Sequence, residues 1–143
     1  MQVNPYLNFP GTTEEAFNFY KSIFGGEFIT LQRFSDMGEA NPVPEEIKNK
    51  ILHIALPLGT GNILMATDAI ESMGPKLDYG NNMHLSLNTD SREENERIFT
   101  ALSEGGKVTM PLADMFWGDY FGMCTDKFGI HWMLSFNKSH AAS

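Results

Sequence analysis

Two segments of the chain, separated by about 80 residues, share one order of polar and apolar positions. Each opens with a hydroxyl residue followed three positions later by a glutamate, Thr12 with Glu15 and Ser91 with Glu94. Apolar residues at helical spacing follow, and each segment ends at a pair of glycines. The opening is typical of a capping box, and glycine favours the left-handed turn that stops a helix. The pattern predicts two amphipathic helices, one in each half of the chain.

Segments with the pattern of β-strands surround both predicted helices. The clearest is 83–88, in which Met83, Leu85 and Leu87 alternate with polar residues. The predicted strands are residues 3–9, 27–34, 50–56 and 62–67 in the first half, and residues 83–88, 107–111, 115–124 and 130–136 in the second. Each half therefore has the order βαβββ, which predicts an α+β fold. Residues 35–49 predict a long loop, and residues 73–80 predict a connector between the halves.

The size and charge of the chain limit its architecture and its partners. With 143 residues, 42% of them hydrophobic, it is predicted to form a single domain over 1–143, with one module at about 1–72 and a second at about 80–137. A net charge of −8 disfavours nucleic acid and anionic membrane surfaces as partners. A cytoplasmic location is predicted, because the chain has a single cysteine, no apolar run long enough to cross a membrane and no signal-like N-terminus.

Short motifs in both halves are shared with a known family. In the first half they are PYLNF from Pro5, EA at Glu15, FY at Phe19, FGG from Phe24, and LM at Leu64 with Asp68. In the second they are GGKV from Gly105, MPL from Met110, FWGD from Phe116, FGM from Phe121, and TDKFG from Thr125 with Trp132. With these motifs the chain resembles the PhnB-like branch of the vicinal oxygen chelate superfamily. The resemblance implies the glyoxalase and bleomycin-resistance fold, in which the curved mixed sheets of two βαβββ modules enclose a cavity with helices outside, and it implies a homodimer.

The resemblance also implies where a metal would bind. Enzymes of the superfamily hold a divalent metal through one residue from the first and one from the last strand of each module, usually His and Glu. When the helix starts are matched, the first and third positions resemble Pro5 and His84, and when the strand ends are matched, the second falls at or near Met65 and the fourth at Met133. Only His84 is a competent ligand, because proline has no donor side chain and a thioether binds hard divalent ions poorly. No cofactor is therefore expected, and the alternative is a divalent metal held by rebuilt ligands.

The histidines have three interpretations. Rebuilt metal ligands would be His53, His84 and a third donor such as His131 or Asp119. Without metal, His84 and His53 are candidate catalytic residues acting as general acid and base, because imidazole titrates near neutral pH. The third interpretation is structural, with each ring hydrogen-bonded to a neighbour.

Candidate ligand-binding residues lie in three places. If His84 points into a cavity, alternation along the strands directs Met65, Met133 and His131 into that cavity as well. The segment 116–122 is rich in aromatic residues and glycine, and its candidates are Phe116, Trp117, Asp119 and Tyr120. Asp68 follows the end of a strand and is a candidate at the cavity mouth. The alternatives are that the aromatics form core and that aspartates such as Asp68 and Asp126 brace turns.

The expected function is binding of a small organic molecule of unknown identity in an apolar cavity, with the glyoxalase-type metal site lost. The alternatives are a metal-dependent lyase, isomerase or dioxygenase with rebuilt ligands, and a resistance protein that sequesters a drug. Relatives often carry the label 3-demethylubiquinone-9 3-methyltransferase. No glycine-rich turn of the usual methyl-donor fold, phosphate-binding loop or nucleophile elbow is present in the sequence, so the label remains a family name only.

Overall fold

The computed structural model describes residues 1–138 and divides into two compact units, the first Met1–Asp78 and the second beginning at Tyr79. The first unit contains β1 (Tyr6–Phe9), α1 (Thr13–Phe24), β2 (Thr30–Arg33), β3 (Ile51–Leu58) and β4 (Asn62–Asp68). The second contains β5 (Leu85–Asn88), α2 (Arg92–Ser103), β6 (Lys107–Asp114), β7 (Tyr120–Thr125) and β8 (His131–Phe136). The predicted order βαβββ is confirmed in both units. No helix among residues 1–138 has the length and apolarity needed to cross a membrane.

In the first unit, one helix covers one face of a four-stranded mixed sheet. The strand order is β1-β4-β3-β2, with β1 parallel to β4 and the other pairs antiparallel. The helix α1 contacts β3 and β4. Its buried side chains include Phe17 and Tyr20, and the sheet contributes Ile54, Leu56 and Leu64, all fully buried. This apolar layer is the core of the unit.

The second unit repeats the arrangement with the strand order β5-β8-β7-β6, in which β5 is parallel to β8. The helix α2 covers β7 and β8 through Phe99 and Leu102, and Trp132 is fully buried in this core. Gly122 on β7 allows the helix to come this close, because a Cβ atom there would lie 2.9 Å from the ring of Phe99.

The face of each sheet that points away from its own helix is called here the open face. Register places Tyr6, His53, Ile63, Met65 and Thr67 on the open face of the first unit. On the second, the open face carries Phe121, Met123, His131, Met133 and Ser135, with His84 at its end. Met65, Met133 and His131 therefore lie on the face predicted from strand alternation, and all three are half-buried.

Three strands begin three or more residues after their predicted starts, and one of them is β2, predicted from residue 27 and observed from Thr30. The strand predicted at 3–9 begins at Tyr6, where its pairing with β4 begins. The strand predicted at 115–124 begins only at Tyr120, because residues 115–119 form a turn in which the N–H of Met115 donates to the carbonyl of Asp119 at 2.8 Å. Gly118 supplies a φ of 101°, which disfavours a side chain. Phe116 and Trp117 consequently lie on a loop between β6 and β7 and not on a strand.

The two helix starts use different caps. In α2 the predicted cap is present, since the Ser91 hydroxyl accepts the N–H of Glu94 at 3.0 Å. In α1 the predicted capping box is wrong, because the Thr12 side chain makes no capping hydrogen bond. The buried carboxylate of Asp68 takes its place and accepts the N–H of Thr13 at 3.0 Å and the N–H of Ile51 at 2.8 Å. One side chain at the end of β4 therefore ties the start of α1 to the start of β3.

Replacing Asp68 by Ala is expected to destabilise the chain by about 2–4 kcal/mol, because two buried N–H groups lose their acceptor. Urea unfolding followed by circular dichroism measures the change. The control is Glu46→Ala, which removes an exposed carboxylate from the turn at residues 45–49 and should change stability by less than about 0.5 kcal/mol. Equal effects of the two substitutions would contradict the capping role.

Candidate functional site

The open face of the first unit carries a hydrogen-bonded aromatic pair. The Tyr6 hydroxyl lies 3.1 Å from Nδ1 of His53, and the two rings stack with centroids 5.6 Å apart and planes 18° apart. Burial raises the pKa of the Tyr6 phenol, and a hydrogen bond from Thr67 opposes this with a smaller effect. Met65 lies beside Tyr6 in the register of β1 with β4. The pair therefore presents polar atoms at the edge of an apolar surface.

The open face of the second unit carries a pair of histidines. The rings of His84 and His131 have centroids 5.4 Å apart. His84 is exposed just before β5, whereas His131 is half-buried at the start of β8. Phe121, Met123 and Met133 continue this face across β7 and β8. The face combines one accessible imidazole with a flexible apolar surface.

The two nitrogens of His131 are both engaged. Nδ1 lies 2.8 Å from the hydroxyl of Thr125, and Nε2 lies 3.1 Å from the carbonyl oxygen of Gly80. A carbonyl oxygen can only accept, so Nε2 donates to Gly80, and Nδ1 is hydrogen-bonded to the Thr125 hydroxyl, which can either donate or accept. His131 thus has no lone pair directed at a ligand, which disfavours it as a metal ligand or a base.

The loop between β6 and β7 displays two aromatic side chains. Phe116 is 98% exposed and Trp117 is 52% exposed, with ring centroids 4.9 Å apart in a T-shaped contact. The indole N–H of Trp117 donates to Asp119 at 2.8 Å, and the other carboxylate oxygen of Asp119 accepts from the amide of Asn137 at 2.6 Å. Asp119 therefore braces the loop. The aromatic pair is available for stacking on a ligand or a partner surface.

Tyr120 lies apart from Phe116 and Trp117, because alternation along β7 directs it to the helix side. Its hydroxyl donates to Glu96 at 2.9 Å, and the guanidinium of Arg92 lies 3.7 Å from the ring centroid. Burial raises the pKa of the Tyr120 phenol, and the hydrogen bond to Glu96 adds to the increase. Arg92 also forms a two-pronged ion pair with Asp114. These contacts link α2 to β6 and β7 and lie away from the open face.

The two aspartates at strand ends have structural partners. Asp68 caps α1, as described above, and the residue is 4% exposed. Asp126 is 3% exposed and accepts from the backbone N–H groups of Phe128 and Ile130 and from the indole N–H of Trp132. The turn-bracing interpretation of Asp126 is confirmed. The ligand role predicted for Asp68 remains a prediction, on a carboxylate whose two oxygens each accept a backbone N–H.

The positions that resemble the metal ligands of the superfamily lie next to one another within each unit. In the first, the N–H of Met65 donates to the carbonyl of Pro5 at 3.1 Å. In the second unit, His84 lies at one end of the open face that carries Met133. Proline, two thioethers and one imidazole are a poor donor set for a divalent ion. Within residues 1–138, no group of three or more His, Cys, Asp or Glu side chains converges to hold a metal.

Tyr6 is the residue that sequence reasoning missed. Matching the helix starts placed Pro5 opposite His84, but the register pairs Tyr6 with Met65, so Tyr6 is the residue of β1 on the open face. In the second unit, the residue at the same distance from the helix start as Tyr6 is Leu85, and Leu85 pairs with the buried Trp132. The residue of β5 that pairs with Met133 on the open face is Ser86. A shift of one residue moves a side chain to the other face. Alternation within β1 could have identified Tyr6. Leu7 and Phe9 are apolar, and Phe9 is buried, so Tyr6 lies on the opposite face of the strand.

The chain matches one family and several solved structures. A family model described as 3-demethylubiquinone-9 3-methyltransferase matches residues 1–135. The chain is similar to protein YjdN of Escherichia coli K12, with 31% identity over 143 aligned residues that cover 94% of this chain and 95% of that protein. It is similar to the crystal structure of protein PA1353 from Pseudomonas aeruginosa, with 40% identity, a TM-score of 0.81, and coverage of 96% of this chain and 98% of the other.

A PhnB protein from Bacillus cereus is similar as well, with 27% identity, a TM-score of 0.77 and coverage of 95% of this chain and 99% of that one. The fold alone is shared with a glyoxalase/bleomycin resistance protein/dioxygenase family enzyme from Burkholderia phytofirmans, at 16% identity and a TM-score of 0.60, with coverage of 94% and 98%. These likenesses agree with the α+β arrangement of two βαβββ units.

Proposed function

Because the chain belongs to the PhnB-like, 3-demethylubiquinone-9 3-methyltransferase-like family and shares the fold of a glyoxalase/bleomycin-resistance protein, we propose that it binds a small organic molecule against the open face of a sheet. The observation that supports this proposal is the one-sided burial of each sheet. In each unit the helix covers one face of the sheet. The opposite, open face carries half-buried Met65 in the first unit and half-buried Met123 and Met133 in the second.

The composition of the open faces favours an organic ligand. Thioether and aromatic side chains offer apolar contact area and adapt to different shapes. A few polar groups stand at the edges, among them His53 and Tyr6 in the first unit and His84 in the second. An apolar surface with few fixed polar groups is typical of small-molecule sites. In the first unit we propose that His53 and Met65 contact a bound ligand, and in the second unit, taken by itself, that His84, Met133, Phe116 and Trp117 do so.

We propose further that the divalent-metal site of the superfamily is lost in this chain. The donor set supports this, because three of the four matching positions offer no hard-ion ligand and both nitrogens of His131 are engaged elsewhere. Methyl transfer, which the family description names, receives no support from the residues of the open faces. A homodimer, a cytoplasmic location and modules of about 1–72 and 80–137 within one domain remain predictions.

Acetophenone, an apolar probe of small size, is expected to shift the methyl resonances of open-face methionines. The measurement is carbon–proton NMR of methionine-labelled protein, in which Met65, Met123 and Met133 should move in a saturable manner. Met1 and Met73, which are exposed outside the open faces, should not move. Saturable shifts confined to Met73, or none at all, would contradict the proposal.

A matched pair of variants sharpens the same titration. Met133→Lys is expected to weaken acetophenone binding by at least about tenfold, because a ligand on that face would desolvate an unpaired ammonium group. Met73→Lys adds the same charge at an exposed position of the first unit and should leave the affinity unchanged. Equal losses of acetophenone affinity in the two variants would contradict the proposal, because the added charge would then act without regard to its position.

Elemental mass spectrometry tests the loss of the metal site. The native protein, purified without tag or chelator, and its His84→Ala variant are both expected to carry far less than one transition-metal ion per chain, because the four matching positions supply only one good ligand. A near-stoichiometric metal that disappears on substitution of His84 would contradict the proposal and favour a metal-dependent enzyme with rebuilt ligands.

A further inference from the structure

The hydrogen bond between Tyr6 and His53 can run in either direction, and the tautomer of His53 decides which atom donates. Burial raises the pKa of the Tyr6 phenol, so the phenol remains protonated at neutral pH. Its O–H needs an acceptor, and Nδ1 of His53 lies 3.1 Å away. A phenol that donates to Nδ1 leaves the neutral imidazole with its proton on Nε2. The stacked rings hold the imidazole plane in one orientation.

The Nε2 atom of His53 has no hydrogen-bond partner among residues 1–138. On the same face, the neighbouring side chains are Gln32 on β2 and Met65, Ile63 and Thr67 on β4, none of which is charged. Tyr6 is 46% exposed, so the pair is accessible from the open face. A ligand placed on this face would bring its own polar atoms to an N–H donor that the protein leaves unsatisfied. Such a donor pairs with an acceptor oxygen.

We infer that Tyr6 and His53 together recognise a carbonyl-type oxygen of the organic ligand, with the Nε2–H of His53 as the donor and Tyr6 as the positioning residue that sets the tautomer. The inference rests on the proposed function and specifies the chemistry of the ligand. A ketone and a carboxylate present the same kind of acceptor oxygen, and the experiment below separates them. The role requires no metal and no transfer of a proton.

The tautomer is tested first, on the free protein. Nitrogen-15 NMR of the histidine side chains is expected to show the neutral form of His53 with an unprotonated Nδ1 and a protonated Nε2. Tyr6→Phe keeps the stacked ring, removes the hydrogen bond and should move the Nδ1 resonance. Tyr79→Phe removes a phenol from the second unit, where Tyr79 contacts Gly129, and should leave it unchanged. A protonated Nδ1 in the native protein would overturn the inference.

The ligand chemistry is tested with three probes of similar size: acetophenone, benzoate and ethylbenzene, which lacks the oxygen. His53→Ala is expected to weaken acetophenone binding by about two- to tenfold more than ethylbenzene binding, because only acetophenone loses a hydrogen bond. Tyr6→Phe should weaken acetophenone in the same direction by a smaller factor, with ethylbenzene and the Tyr79→Phe control unchanged. A larger loss for benzoate than for acetophenone would identify a carboxylate as the preferred group.

The outcomes separate this inference from the function on which it rests. If all three probes bind and His53→Ala weakens them by one common factor, the recognition of an oxygen is wrong while the apolar binding surface stands. If none of the probes binds at millimolar concentration, the proposed function fails and the inference fails with it. A selective loss for the oxygen-bearing probes supports both.

Discussion

Each sheet of this protein has its own helix on one face only, and most other features of the structure follow from that arrangement. Successive side chains along a strand point to opposite faces, so a helix on one side divides every strand into a buried set and an open set. In β8 the buried set includes Trp132 and Leu134, and the open set contains His131 and Met133. The buried set stabilises the fold, and the open set is where binding chemistry is available.

The open sets carry different polar groups in the two units. The first has a hydrogen-bonded Tyr6 and His53, and the second has an accessible His84 beside a fully engaged His131. None of these arrangements assembles the three or four hard ligands that a divalent ion requires. They do place single hydrogen-bonding groups beside apolar side chains, which is the composition of a site for an organic molecule.

Much of the fold was predictable from the sequence, because it depends on local patterns. The order βαβββ in both units, the helix ends at glycine and the Ser91 cap all follow from residue spacing. The cap of α1 was not predictable, since Asp68 lies 55 positions from Thr13 and the contact depends on the tertiary fold. The turn at 115–119 was also missed, because its aromatic residues have the composition of a strand.

The candidate site was predictable only in part, for a related reason. Strand alternation placed Met65, Met133 and His131 on the correct face, since the parity of a single strand fixes their direction. It could not find Tyr6, because comparison between the halves assumed equal register where the structure has a shift of one residue. The partners of His131 and Asp119 come from other segments, so their engagement was not visible in the sequence either.

Photolabelling with benzophenone tests most directly whether the open faces are the binding surface. Benzophenone is an aromatic ketone that forms bonds to nearby C–H groups on illumination, and peptide mass spectrometry locates them. The account predicts labels concentrated on open-face residues of β4, β7 and β8, above all Met65, Met123 and Met133, and reduced by excess acetophenone. Labels concentrated on the outer surfaces of α1 and α2, or insensitive to acetophenone, would contradict it.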